Sequence, residues 1–139
     1  MKRFHMHIAV DNLQSNIRFY SALFGIEPVI RETDYAKWML DDPLINFAIS
    51  ARNTKPGLDH VGIQVDSEAS LDEINQRLVQ AGLSATEQKD AQCCYATSNK
   101  YWTIDPQGIA WEAFHSLATI PTFGQDTPIP VSSKACCGT

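Results

Sequence analysis

His5-Met6-His7-Ile8-Ala9-Val10-Asp11 and His60-Val61-Gly62-Ile63-Gln64-Val65-Asp66 share the pattern H-x-x-I-x-V-D, 55 residues apart. Apolar residues alternate in each copy, as in a half-buried strand. An amphipathic helix is expected after each. Leu13, Ile17, Tyr20 and Phe24 recur at helical spacing before Gly25, and Leu71, Ile74, Leu78 and Ala81 do so before Gly82. Ser70 and Glu73 have capping-box spacing, although a start a few residues earlier also fits. Strand-like runs follow each helix: 27–31, 36–40 and 44–51 in the first half, 83–87, 100–104 and 109–115 in the second. Asp41-Asp42-Pro43 and Asp105-Pro106-Gln107-Gly108 are the turns between them. The predicted fold class is α+β, with two tandem βαβββ modules forming a curved mixed sheet around a concavity. The modules span about 1–52 and 57–115 of a single domain, and 116–139, with Pro121, Pro128 and Pro130, reads as an extended tail. About 55 residues bury too little apolar area to stand alone, so the two copies must share one core.

The 139 residues carry a formal charge of −5, with 44% apolar and 19% charged residues, as in an ordinary globular protein. An acidic surface repels phosphate backbones and argues against nucleic-acid binding. No apolar run approaches the roughly 20 residues of a membrane span, and MKRFHMH is no secretory signal. A cytoplasmic chain, monomer or homodimer, is expected.

Strand alternation assigns the faces. Met6, Ile8 and Val10 suit packing under a helix, which turns His5 and His7 to the hollow side. In the second copy Val61, Ile63 and Val65 face the helix, which turns His60 inward. Glu112 sits in an otherwise apolar strand, Ile109-Ala110-Trp111-Glu112-Ala113-Phe114. A carboxylate buried there needs a cation or a strong donor. His5, His60 and Glu112 thus form a candidate metal set: two imidazoles and one carboxylate suit Fe(II) with open positions, and Zn, Ni, Co or Mn fit the same donors. Any one strand histidine is more often a hydrogen-bonding residue; two at equivalent repeat positions, with a glutamate, favour ligation. His7 is expected beside the ligands or joining them, and His115 on the opposite face. Alignment of the last strands sets Phe47 opposite Glu112, so the first half offers no second carboxylate.

Four cysteines form two adjacent pairs, Cys93-Cys94 and Cys136-Cys137. Neighbouring cysteines close only a strained disulfide, so free thiols are expected in a reducing compartment.

A doubled strand-helix unit with a histidine/glutamate site resembles the vicinal oxygen chelate superfamily of glyoxalases, extradiol dioxygenases and bleomycin-binding proteins. The segment Cys93-Cys94-Tyr95-Ala96-Thr97, with Phe19-Tyr20 and a cysteine-bearing tail, resembles the ArsI organoarsenical C–As lyases and the CadI-type cadmium-induced proteins. That resemblance implies Fe(II)- and O2-dependent cleavage of trivalent organoarsenicals, methyl or aromatic, to arsenite. It places the metal ligands at His5, His60 and Glu112 and the arsenic-binding thiols at Cys93 and Cys94. The position of His5 can be glutamine in that family, so histidine is a departure. Two thiolates suit a trivalent arsenic that keeps one organic group. Tyr95, Tyr101, Trp38 and Phe47 are candidates for lining the organic-group pocket, and Cys136 and Cys137 for auxiliary thiols. The competing classes are a glyoxalase-like isomerase, which needs a further carboxylate, and a non-catalytic binder of cadmium or arsenic.

Overall fold

The structure, a computed structural model, describes residues 1–52 and 54–119. The first module is β1 (Arg3–Ala9), α1 (Leu13–Phe24), β2 (Ile30–Arg31), β3 (Tyr35–Asp41) and β4 (Leu44–Ser50). The second is β5 (Gly57–Val65), α2 (Glu68–Gln80), β6 (Thr86–Cys93), β7 (Ala96–Ile104) and β8 (Ala110–Thr119). All eight strands form one mixed sheet in the order β2-β3-β4-β1-β5-β8-β7-β6. Within each module the first and last strands are parallel neighbours, β1 with β4 and β5 with β8. The modules join through their first strands, β1 antiparallel to β5. The repeated H-x-x-I-x-V-D segments therefore lie side by side at the centre of the sheet.

Both helices begin on side-chain caps. Asn12 accepts from the Ser15 amide, and Gly25, at φ 72°, takes the left-handed position that ends α1. Ser67 caps α2 by accepting from the Ser70 amide, so Ser70 and Glu73 lie inside the helix and the capping-box reading was three residues late. Val10, Leu13, Ile17, Trp38, Phe47 and Ile49 form the core under α1. Val65, Leu71, Ile74 and Ala113 do so under α2.

Four expected strands change length, the first being β2, which keeps only Ile30–Arg31 of the expected 27–31. β6 runs over Thr86–Cys93 rather than 83–87; its polar sequence has no apolar alternation, and it is a sheet edge defined by pairing with β7. β7 begins four residues early, at Ala96. β8 continues to Thr119, past the expected end at 115. As a result Cys94 and Tyr95 form a two-residue hairpin turn between the paired Cys93 and Ala96, with φ 56° and 62°. Two left-handed residues there give a type I′ turn, usually built from Asn and Gly.

Gly62 fixes the closest approach in the sheet. It is paired with both His5 and Glu112, and a Cβ added to it would lie 2.1 Å from the Glu112 carbonyl oxygen. Backbone cannot yield as a flexible side chain can. Gly62→Ala should therefore cost about 3 kcal/mol or more, read as a clear fall in thermal midpoint by circular dichroism; an unchanged midpoint would contradict the packing described.

Candidate metal centre

Alternation along the central strands delivers a polar cluster to the face away from the helices. β1 contributes His5 and His7, β5 contributes His60, and β8 contributes Glu112; all four are buried. The antiparallel register sets His7 opposite His60 and His5 opposite Gly62, so the His5 and His60 rings meet over the space that Gly62 leaves. Their Nε2 atoms are 3.1 Å apart.

Each ring is oriented by its other nitrogen. His5 Nδ1–H donates to the Asn46 carbonyl oxygen at 3.0 Å, and His60 Nδ1–H donates to Asp59 Oδ1 at 2.7 Å. Both Nε2 atoms are thereby free to present lone pairs, the tautomer that metal-bound histidines take. Glu112 Oε2 lies 3.0 Å from His60 Nε2. It has no hydrogen-bond partner among the described residues, since in this tautomer the His60 Nε2 that approaches it carries a lone pair. Lys100, also buried, holds the other carboxylate oxygen, Oε1, at 3.2 Å and lies over the Trp102 ring. Glu112 is thus left with one oxygen to offer.

Opposed lone pairs and an unmet carboxylate oxygen in a buried site call for a shared cation. The titration behaviour agrees. Burial, reinforced by His60, pushes His5 down to about 4. Burial opposes protonation of His60 too, but the Asp59 and Glu112 carboxylates outweigh it and hold His60 above its ordinary value. Burial alone would raise Glu112, and Lys100 with His60 keeps it well below the usual carboxylate range. A divalent cation fits these donors, and its binding would compete with protonation of the rings.

One ring nitrogen from each of His5, His7 and His60 lies within 4.8 Å of the others, and Glu112 joins the group through His60. Cys94 is half-buried and lines the same small cavity, about 30 Å³, together with His5, Lys37, Lys100 and Glu112. Burial pushes its thiol up, while the Lys100 and Lys37 ammonium groups act in the opposite sense. Tyr95 secures the turn: its hydroxyl donates to Asp34 Oδ1 at 2.5 Å, and its ring packs on Tyr35 in the first module.

Several expected positions are corrected. Phe47 does not line the hollow; it faces α1 with Trp38, Tyr20 and Phe24. The alignment that set it opposite Glu112 was one residue out of register, and such a slip exchanges the faces of a strand. By pairing, Asn46 and Ala48 are the β4 residues on the site side, neither of them a carboxylate. Tyr101 also lies on the helix side, packed near Ile74 and Leu78 and hydrogen-bonded to Glu87 and Asp72. His115 stands beside Glu68 of α2, away from the site. The Cys93 side chain and residues Cys136 and Cys137 lie outside the described ones. Asp59, Asn46 and Lys100 were missed. Asp59 could have been noticed as a carboxylate directly preceding a candidate ligand; Lys100 reads as an ordinary charged strand residue.

The sequence model of the Glyoxalase/Bleomycin resistance protein/Dioxygenase superfamily matches residues 2–113. The chain belongs to this superfamily. A Bacillus sp. (strain MD1) protein described as a trivalent organoarsenical cleaving enzyme is 41% identical over 147 residues, covering 99% of this chain and 91% of that one. The cadmium-induced protein CadI of Mycobacterium bovis is 34% identical over 144 residues, covering 99% and 95%. Among solved structures, the 2,3-dioxygenase LapB from Pseudomonas sp. KL28 aligns with a TM-score of 0.64 at 21% identity, over 92% of this chain and 46% of that one. The superfamily fold, a mixed curved sheet of eight strands with two helices, is the one expected. Among the described residues no helix is long and apolar enough to cross a membrane.

Two consequences are measurable. Unfolded histidines titrate near pH 6.5, whereas His5 and His7 are depressed by burial. Below about pH 6.5 the unfolded chain takes up protons that these two refuse, so stability falls as pH drops toward 4. His60, raised, acts in the opposite sense, whereas Glu112, held low, adds to the loss once the pH falls past its unfolded value. Urea unfolding of the metal-free protein at pH 7, 5.5 and 4.5 should show declining stability, and a rise on acidification would contradict it. Glu112→Gln should be destabilising by about 3 kcal/mol because it strands the buried Lys100 charge. Adding Lys100→Met should restore part of that loss; strict additivity of the two changes would rule out the pairing.

Proposed function

We propose that this chain cleaves the carbon–arsenic bond of trivalent organoarsenicals, using Fe(II) and dioxygen, as a cytoplasmic detoxifying enzyme. For methylarsonous acid the balanced reaction is CH3As(OH)2 + O2 → As(OH)3 + HCHO. The carbon is oxidised, dioxygen takes up the electrons, and arsenic leaves as trivalent arsenite. The observation that carries this reading is the Cys94 thiol in the same cavity as His5 and Glu112. A thiophilic ligand and a metal-type donor set share one small space. The organoarsenical-cleaving relative supports the same reading.

His5, His60 and Glu112 would hold the iron, with Asn46 and Asp59 fixing the ring tautomers. Bound there, Fe(II) would supply the activation of dioxygen that spin-paired organic groups lack. The remaining work falls to the chain. The Cys94 thiol condenses with an As–OH group, forming S–As and releasing water. Cys93, adjacent in the hairpin, takes the second hydroxyl in the same way, leaving arsenic attached to two sulfurs and its carbon. Lys100 confines Glu112 to a single donor oxygen, which keeps coordination positions open. The apolar wall of the cavity includes Phe114 and Ala96, and Tyr35 closes it from the first module. A methyl group fits such a space more readily than an aryl group, whose entry requires the Cys94-Tyr95 tip to lift away from Asp34.

A sequestering role for soft metals is the second reading, favoured by the likeness to CadI. The isomerase reading has less behind it, because Asn46 and Ala48 occupy the places where a further carboxylate would stand. Aerobic incubation of Fe(II)-loaded protein with methylarsonous acid decides among them. Catalytic release of arsenite and formaldehyde is expected. Stoichiometric retention of arsenic without product would sink the lyase and leave the binder. Cys94→Ser should abolish turnover at low substrate while iron binding persists; unchanged turnover would exclude thiol capture.

A further inference from the structure

His7 is a third buried imidazole that the repeat does not account for. Its counterpart in β5 is Gly62, so the second module has no equivalent ring. It is 1% exposed, stands opposite His60 in the β1–β5 register, and its ring centre lies 5.0 Å from that of His60 and 6.4 Å from that of His5. Its Nε2 is 2.8 Å from Ser50 Oγ, while Nδ1 is buried and has no hydrogen-bond partner. With Nε2–H donated to Ser50, Nδ1 carries a bare lone pair. A buried acceptor left unmet is costly, and native interiors seldom keep one without a partner.

Taking the hollow as a metal centre, as proposed above, we infer that His7 is a fourth protein donor, through Nδ1, giving three histidines and one carboxylate. One ring nitrogen of His7 lies within 4.8 Å of a ring nitrogen of both His5 and His60. A fourth donor is compatible with the proposed chemistry because the arsenical is held by thiols. It does not need to chelate the metal, so a six-coordinate ion with four protein donors still keeps two positions for small ligands.

Co(II) is a suitable probe, since its visible d–d absorption reports the number and type of its ligands. Metal-stripped wild type, His7→Gln and His7→Asn would be titrated with Co(II) against a chelating dye, and thermal unfolding of each metal-free protein recorded in parallel. Glutamine reaches Ser50 but places no atom where Nδ1 was; asparagine puts its amide oxygen near that place. His7→Gln should bind Co(II) about tenfold more weakly or worse, with a changed d–d spectrum. His7→Asn should recover part of both. Wild-type affinity and spectrum in the two variants would overturn the assignment. So would equal losses in both with an unchanged spectrum, which would mark His7 as a packing residue. Wild type that takes up no Co(II) would remove the metal centre altogether. Normal titrations with no arsenical cleavage would uphold the four-donor set and strike only the proposed reaction.

Discussion

Two imidazole nitrogens face each other at 3.1 Å in a buried interior, each with its ring fixed by an acceptor on the far side. Left without a cation, that contact repels, and most of what surrounds it serves to hold it in place. The His5 ring is fixed by a strand carbonyl and the His60 ring by the neighbouring Asp59. Gly62 provides the space in which the two rings approach, and Lys100 ties the adjacent carboxylate from one side. A folded chain would not keep such an arrangement unless something positive occupied its middle, whether a proton or a metal ion.

The central pairing of β1 with β5 explains why this site exists in one copy although the module occurs twice. Equivalent strands that meet antiparallel bring their inward residues to a common line, so His5 and His60 converge rather than forming two separate centres. The departures from symmetry are then informative. Glu112 has Ala48 as its counterpart, and His7 has Gly62. One module supplies the carboxylate and the other supplies the extra imidazole.

Much of this was legible in the residues alone. The repeated segment pointed to paired strands, and alternation placed His5, His60 and Glu112 on a common face, because a period of two leaves little freedom once one side must pack against a helix. The failures have equally plain causes. Phe47 was misplaced because β4 is buried on both faces, so neither side is marked by exposed residues that would fix a register to within one residue. β6 was placed too early because a polar edge strand is held by its neighbour's backbone rather than by its own apolar pattern. The turn at Cys94-Tyr95 was hidden because neither residue type announces a positive φ. Lys100 was missed because nothing in a sequence tells a buried lysine from a solvated one until its carboxylate partner is placed.

The seam between the repeats also bears on how the molecule could come apart. β1 and β5 belong to different modules, yet donors from both converge on one point, so an ion there would rivet two halves otherwise joined by strand pairing and a short connection. A chain nicked in that connection would not simply lose a piece. Its fragments would reassociate or drift apart according to how much free metal surrounded them, making the protein's quaternary integrity a reading of its ionic environment.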